Sequence, residues 1–370
     1  MEKILLVCGA FPPQPCGVGD YTARLGVALA QAGIEVHVLS SELAQPVEGL
    51  HLHPLVADWT TTSSVRRVFG SVLDKIRPDV VQVQYPGSYG RANRSLAGNL
   101  LPWWAWERGC RVATTLHEWG ERKLQWKVRA ALMAAGSHAL VAVTSHDARL
   151  VRSLPWVGRR PVRHVPIGAN LEFDRDVSGV TDLPVLAYFG FLHPLKGVTE
   201  LLQAAALLKS RGTRLRLDLH GFFRPDSDRH HAAIQEQVRI SGLEDVVRFP
   251  GPVPSDPAGA AMALREAWLG VLPFREGLSE RRGSFLALGR SGLPVLTSPG
   301  PWNPEWIREG ENVYLEPLDP IRWADRIERL LPVGPAGLDP VGARLRTEIV
   351  CRHSWSAIAR DHIAFWNSLP

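Results

Sequence analysis

The sequence predicts an α/β protein made of two parallel-sheet domains, and three observations carry that prediction. Short apolar runs alternate with helical patterns along almost all of the 370 residues. The runs are continuous rather than strictly alternating, which is the pattern of strands buried on both faces. The chain is also longer than one ordinary hydrophobic core organises, so it divides.

In the first half the strand candidates are residues 3–10 (KILLVCGA), 35–41 (EVHVLSS), 80–85 (VVQVQY), 111–119 (RVATTLHEW), 139–145 (ALVAVTS) and 162–168 (VRHVPIG). Residues 21–32 read as a helix between the first two. Tyr21, Leu25, Ala28 and Leu29 share a face, Asp20 is placed to cap the start, and Gly33 stops it. Residues 170–184 are polar and turn-rich and read as a linker. The second half repeats the style, with strands at 184–191, 214–222, 246–251, 268–274, 294–298 and 313–317, and helices such as 198–210 and 319–331. After the Pro/Gly-rich stretch 331–340 the chain ends in helices, the last over 354–369. In such βαβ sheets, ligands sit beyond the carboxyl ends of the strands.

Composition narrows the partners. Hydrophobic residues make up 45% and charged residues 21%, a globular profile without a disordered tail. A net charge of +5 admits an anionic partner such as a nucleotide, a phosphorylated substrate or a membrane surface. Nucleic acid is not expected, because zinc-finger spacing, an RNP-like strand and a basic recognition helix are all missing from the sequence. Cys8, Cys16, Cys110 and Cys351 form no CxxC pair and read as free thiols of a reducing compartment. The first apolar run is too short for a secretory signal, and no stretch has the length of a membrane span, so a cytoplasmic location is expected.

Four loops at strand ends hold residues suited to chemistry. Residues 275–283 (REGLSERRG) follow a buried strand. Glu276 is placed to accept hydrogen bonds from sugar hydroxyls, and Arg281 and Arg282 are forks suited to phosphate. Ser284 is placed to cap the next helix, whose N-terminus offers free N–H groups. Taken alone, this loop reads as a solvated turn. The second loop has the same architecture: a strand ends at Phe191, and Lys196–Gly197 opens a helix, a point charge suited to a diphosphate. An exposed lysine in a turn is the plain alternative. In residues 9–25, Gly17 and Gly19 let the backbone approach a ligand, but the spacing is not GxGxxG, and a dinucleotide site is disfavoured. Fourth, His117 and Glu118 end a strand, where a histidine is better placed to face a ligand than in a core. Asp226 and Asp228, followed by His230 and His231, look like a metal-binding DxD. They open a helix instead of closing a strand, so capping is the expected role. A hydrolase triad lacks its G-x-S-x-G elbow.

The order of these loops resembles the family 4 glycosyltransferases of the GT-B fold. The resemblance covers nearly the whole chain: FPPQPCGVGDYTARL, TLHEW, HVPIGAN at 164–170, KG at 196–197, VVRFPGPV at 246–253, EG at 276–277 followed by GLPVLTS, and REGENVYLEP at 308–317. It implies two Rossmann-like domains facing across a cleft. These are residues 1–172 for the acceptor, joined by a C-terminal helix 354–370 crossing back, and residues 173–353 for the nucleotide-sugar donor. It implies a retaining sugar transfer from a nucleotide-sugar donor to an acceptor hydroxyl of a sugar or lipid-linked glycan, with no metal or other cofactor. In that reading Glu276 binds donor-sugar hydroxyls, with Gly277 and Leu278 nearby, and Lys196 holds the diphosphate. His117 lies against the donor sugar, Gly17 and Gly19 line a donor or acceptor pocket, and the segment containing Gly251 abuts the base. The family's second glutamate would stand eight positions after the first, where this chain has Ser284. Arg282 is then the candidate for a missing basic residue, and Glu280 or Ser284 for the missing acid. A nucleotide-sugar 2-epimerase and a non-catalytic sugar-nucleotide-binding subunit are the alternative readings. Finally, Trp103, Trp104, Trp106, Trp119 and Trp126 lie among Arg108, Arg111, Arg122, Lys123, Lys127 and Arg129. This mixture suits peripheral contact with an anionic membrane at its inner face, and equally a packed domain with solvated charges.

Overall fold

The computed structural model describes residues 1–89, 96–119, 124–171, 173–175, 179–254 and 256–369. The chain divides into two compact units, residues 1–168 with 353–370, and residues 169–352.

The first unit contains β1 (Lys3–Val7), α1 (Gly17–Gln31), β2 (Glu35–Ser41), β3 (His51–Val56), α2 (Thr62–Ile76) and β4 (Val80–Tyr85). It continues through α3 (Ala97–Trp106), β5 (Arg111–Leu116), α4 (Leu124–Ala135), β6 (Ala139–Ala142), α5 (Ser145–Arg152) and β7 (Val162–His164). The strands form one parallel sheet in the order β3-β2-β1-β4-β5-β6-β7. Every residue of β4 is buried, as its unbroken apolar run requires. The edge strand β3 escaped the sequence reading. It is polar, holds Pro54 and buries only its last residue, because an edge strand needs neither a full ladder nor two apolar faces. β2 and β4 have the expected bounds, whereas β1, β5, β6 and β7 end earlier than their apolar runs, where residues such as Cys8 and His117 turn out of the ladder while staying buried.

Helix α1 begins four residues before the expected start. Its N-cap is Cys16, without a side-chain cap, and Asp20 lies in the first turn rather than at the cap. There its charge faces the positive end of the helix dipole.

The second unit contains β8 (Val185–Phe189), a 3-10 turn over Pro194–Lys196, α6 (Val198–Ser210), β9 (Arg216–His220), α7 (Arg229–Ile240), β10 (Val247–Arg248) and α8 (Pro257–Leu264). Then follow β11 (Leu269–Leu272), α9 (Gly283–Arg290), β12 (Val295–Thr297), β13 (Tyr314–Leu315), α10 (Pro320–Leu330) and α11 (Gly334–His353). Its parallel sheet has the order β10-β9-β8-β11-β12-β13. The expected linker is not a free tether. Phe173 is buried, Arg175 bonds Asp339 at 2.8 Å and the Ala267 carbonyl, and its N–H donates to Ser291 O at 3.1 Å. An arginine with most of its side chain out of water is held by fixed partners, which pulls the segment onto the second unit.

The last helix, α12 (Trp355–Asn367), belongs to the first unit. Its buried face, with Trp355, Ile358, Phe365 and Trp366, joins the core formed by α1 and one face of the sheet. Two close contacts seat its start. His353 Nδ1 bonds Ile167 O at 2.8 Å, and Gly168 leaves room for the Trp355 indole where any Cβ would overlap it. Truncating a buried tryptophan such as Trp366 would cost about 3–5 kcal/mol.

His362 on α12 is fully buried, and that burial pushes its pKa down to about 3. The unfolded chain takes up a proton on this histidine below about pH 6.5, while the folded chain refuses it. Its contribution to stability is therefore complete above that pH and is lost progressively as pH falls toward 3. Denaturant midpoints measured from pH 7 to pH 4 should fall more steeply for the native chain than for His362→Gln, which has no proton to gain.

Candidate active site

The second sheet has a switch point. From β8 the chain moves outward to β9 and β10, then returns to the other side of β8 as β11. The loops after β8 and β11 leave in opposite directions, and the space between them is where such sheets bind ligands. The two loops flanking this point are the ones that carry Lys196 and Glu276.

These loops are bound to each other by backbone. Gly197 has φ +70° and lies so close to Pro273 that a Cβ would overlap its carbonyl. Only glycine fits both demands. Arg275 N donates to Leu195 O at 3.2 Å, and Arg275 Nε meets Glu200 Oε1 at 2.8 Å. Gly277, at φ +75°, presses on the Pro299–Gly300 backbone, and Leu278 N donates to Ser298 O at 2.9 Å. The loop after β11 is thus held from both sides.

Phe274 lies two residues beyond β11 and is buried. Lys196 Nζ lies 5.1 Å from the centre of its ring, and Arg282 Cζ lies 4.9 Å from it. Arg282 donates to Glu276 Oε2 at 3.1 Å and to Gly277 O at 3.1 Å. Burial, and then the Arg282 charge, lower the Lys196 pKa to about 8, with Glu276 opposing. Two cations and one carboxylate therefore share a small volume, and the cations are incompletely compensated. Such a group favours an incoming anion.

Ser284 does not cap α9. The N-cap is Arg282, no side chain caps the helix, and Ser284 is its second residue, half-buried. Arg282 is drawn back onto the loop by Glu276 and Gly277, so the helix starts two residues sooner than a serine cap would allow. Ser284 lies instead beside Gly190: a Cβ there would stand 3.8 Å from Ser284 Oγ. Gly190 N donates to His220 O at 3.0 Å and Gly221 N to Gly251 O at 3.1 Å, which brings Gly251, at φ +91°, onto the same rim. Glu280 is buried rather than reaching outward, whereas Glu276 is exposed. Asp228 caps α7, accepting from the N–H groups of His230 at 2.8 Å and His231 at 3.2 Å. Among the described residues no cluster of three or more His, Cys, Asp or Glu side chains has metal-binding geometry.

The first sheet has its own switch point, between β1 and β4. Gly19 is buried, and its missing side chain admits Ala10 O, 2.6 Å from where a Cβ would stand. Gly17 opens α1 with free space around it. His117 follows β5, is buried, donates its N–H to Tyr85 O at 2.7 Å, and has Nε2 2.8 Å from Gln84 Oε1. The Tyr21 ring meets its imidazole edge-to-face at 4.7 Å. Sequence reasoning missed Phe274, Gln84 and Tyr21 as parts of these sites. An aromatic residue at a strand end was a signal for the first, and nothing local marked the others.

Comparison with known proteins agrees with this geometry. Residues 15–173 match the family described as Glycosyltransferase Family 4, and residues 183–332 match Glycosyl transferases group 1. A search of curated proteins finds no match. Among solved structures, a sucrose-phosphate synthase from Thermosynechococcus elongatus superposes with TM-score 0.78 at 19% identity, covering 100% of this chain and 99% of that one. The Anabaena protein HepE, in complex with UDP and glucose, superposes at 0.72 with 16% identity and covers 100% of both chains. A glycosyltransferase from Rickettsia africae gives 0.74 at 12% identity over 100% and 98%. With a family 4 region followed by a group 1 region on two parallel-sheet units, the chain belongs to the GT-B glycosyltransferases.

Proposed function

We propose that this chain transfers a sugar from a nucleotide-sugar donor to an acceptor hydroxyl with retention of configuration, in glycan or glycoconjugate synthesis. The observation that carries this reading is the pair of cations on Phe274 beside Glu276 at the switch point. When the bond from sugar to diphosphate breaks, negative charge grows on the leaving oxygen. Lys196 and Arg282 meet that charge, and the uncapped start of α9 adds its dipole. This set of groups serves the leaving diphosphate without a metal ion. Glu276 is exposed and held by Arg282, which suits it to accept from sugar hydroxyls. His117 is the sugar-contacting residue of the first unit. That HepE is seen with UDP and with UDP-glucose supports a nucleotide-sugar donor.

A panel of UDP-, GDP- and dTDP-sugars tests the reading. Lys196→Ala should lower turnover by about 10²- to 10³-fold, the usual loss when one group that stabilises a leaving anion is removed. Glu276→Gln should fold normally and lose most transfer. Native rates in both variants would overturn the assignment. An epimerase would instead isomerise its donor without acceptor, and a binding subunit would only gain thermal stability.

We also propose peripheral contact with an anionic membrane, on a smaller face than the tryptophan cluster in the sequence. Trp104 and Trp119 are buried in the first unit, and Trp103 donates to Leu132 O at 2.8 Å. Arg122, Lys123 and the Trp126 side chain lie outside the described residues. Leu124 and Val128 are exposed one turn apart on α4 with Lys127 beside them, and Trp106 is exposed separately at the end of α3. Apolar side chains rimmed by lysine suit a headgroup boundary. Among the described residues no helix is long and apolar enough to cross a membrane. Flotation with phosphatidylglycerol vesicles should carry the native chain upward and leave Leu124→Ser/Val128→Ser behind. Equal behaviour of the two would refute this contact.

A further inference from the structure

His117 is set in a buried polar chain that runs to the far end of the sequence. In this orientation of the Gln84 amide its Oε1 accepts from His117 Nε2 at 2.8 Å, which gives that nitrogen the proton. The Tyr21 ring stands edge-to-face against the imidazole, with ring centres 4.7 Å apart and planes at 81°. Tyr21 is itself buried and held at two places. Its hydroxyl bonds His362 Nε2 on α12 at 3.0 Å, and its ring packs against Trp355 at 5.5 Å. Both holders come from the last helix, and Trp366 packs on His362 at 4.9 Å.

This arrangement has features that packing alone does not call for. A phenylalanine would fill the Tyr21 site as well, yet a hydroxyl is present and meets a histidine. That histidine leaves Nδ1 buried without a partner, which costs about 1–3 kcal/mol. Burial also keeps His362 uncharged, so the bond to Tyr21 is the same throughout the neutral pH range.

We propose that Tyr21 is a positioning residue for His117, and that the C-terminal helix, through His362 and Trp355, holds Tyr21 in that role. Gln84 fixes which nitrogen carries the proton, and the Tyr21 ring fixes the plane in which the imidazole lies. The last helix is thereby a working part of the His117 site as well as a cover for α1. The consequence for catalysis rests on the proposed transferase reading, whereas the positioning itself does not.

The test uses the full chain labelled with 15N at histidine. The two ring nitrogens of His117 should show the shifts of a single tautomer protonated at Nε2. In Tyr21→Leu they should move toward the averaged values of a mixed, mobile ring, while Tyr21→Phe, which keeps the ring but loses the hold of His362, should move part of the way. A Tyr21→Phe pattern identical to the native one overturns the role given to His362. If Tyr21→Leu does not fold, Tyr21→Met fills the site with an unbranched chain and carries the same test. A native His117 signature in the ringless variant overturns the proposal, whatever happens to activity. With the signature changed, turnover of the nucleotide-sugar donor should fall about 10- to 100-fold with little change in donor KM, as for a misplaced reacting group. A changed signature with native turnover would uphold the positioning and remove His117 from the transfer reaction.

Discussion

Lys196 and Arg282 press on the same buried ring, and the rest of the second unit's rim is arranged around that contact. Each cation gains about 0.5–2 kcal/mol from the face of Phe274. Against this, keeping Lys196 charged so far below its ordinary pKa of 10.5 costs roughly 3 kcal/mol, at about 1.4 kcal/mol per pH unit. Glu276 compensates in part, but it is committed to Arg282 and half open to water. The loops cannot relax to separate the charges. Gly197 locks one loop on Pro273, and Gly277 locks the other on Gly300. The burial and, second to it, the Arg282 charge that disfavour the charged lysine are therefore built in, and a nearby anion would offset both.

Much of this was legible in the sequence because it is local. Lys196 and Glu276 each follow an unbroken apolar run within a few residues, and such runs are strands whose carboxyl ends face the ligand. What the sequence hid depends on residues that meet only after folding. Ser284 looked like a helix cap, but Arg282, drawn to Glu276, starts the helix first. Glu280 looked like a candidate for the missing acid in an open loop, yet it is buried. Tyr21 and His362 are 341 positions apart, so no window along the chain contains both. The edge strand β3 was lost because an edge needs little hydrophobicity to pair on one side.

The first unit solves a different problem with the same topology. Its sheet also turns at a switch point, and the described parts of the loops there pack on one another. Gly9 N donates to Gly87 O at 2.6 Å, and Cys16 Sγ meets Ser88 Oγ at 3.4 Å. Its polar groups include a glutamine, a tyrosine and two histidines, of which His362 is kept uncharged by burial. Neutral, oriented groups suit a sugar, and concentrated positive charge suits a diphosphate.

The most direct measurement is calorimetric titration with UDP at a series of pH values. UDP itself loses protons from its terminal phosphate and its uracil ring across this range, equally for both proteins, so only a trend that the Lys196→Met variant lacks belongs to the lysine. If Lys196 is the crowded cation that receives the diphosphate, the native chain must bind more weakly as pH rises through about 8 and the lysine loses its proton. Lys196→Met should bind weakly at every pH, with no such trend. Affinity that is level from pH 7 to 9.5 in the native chain, or equal in the two proteins, would contradict the account.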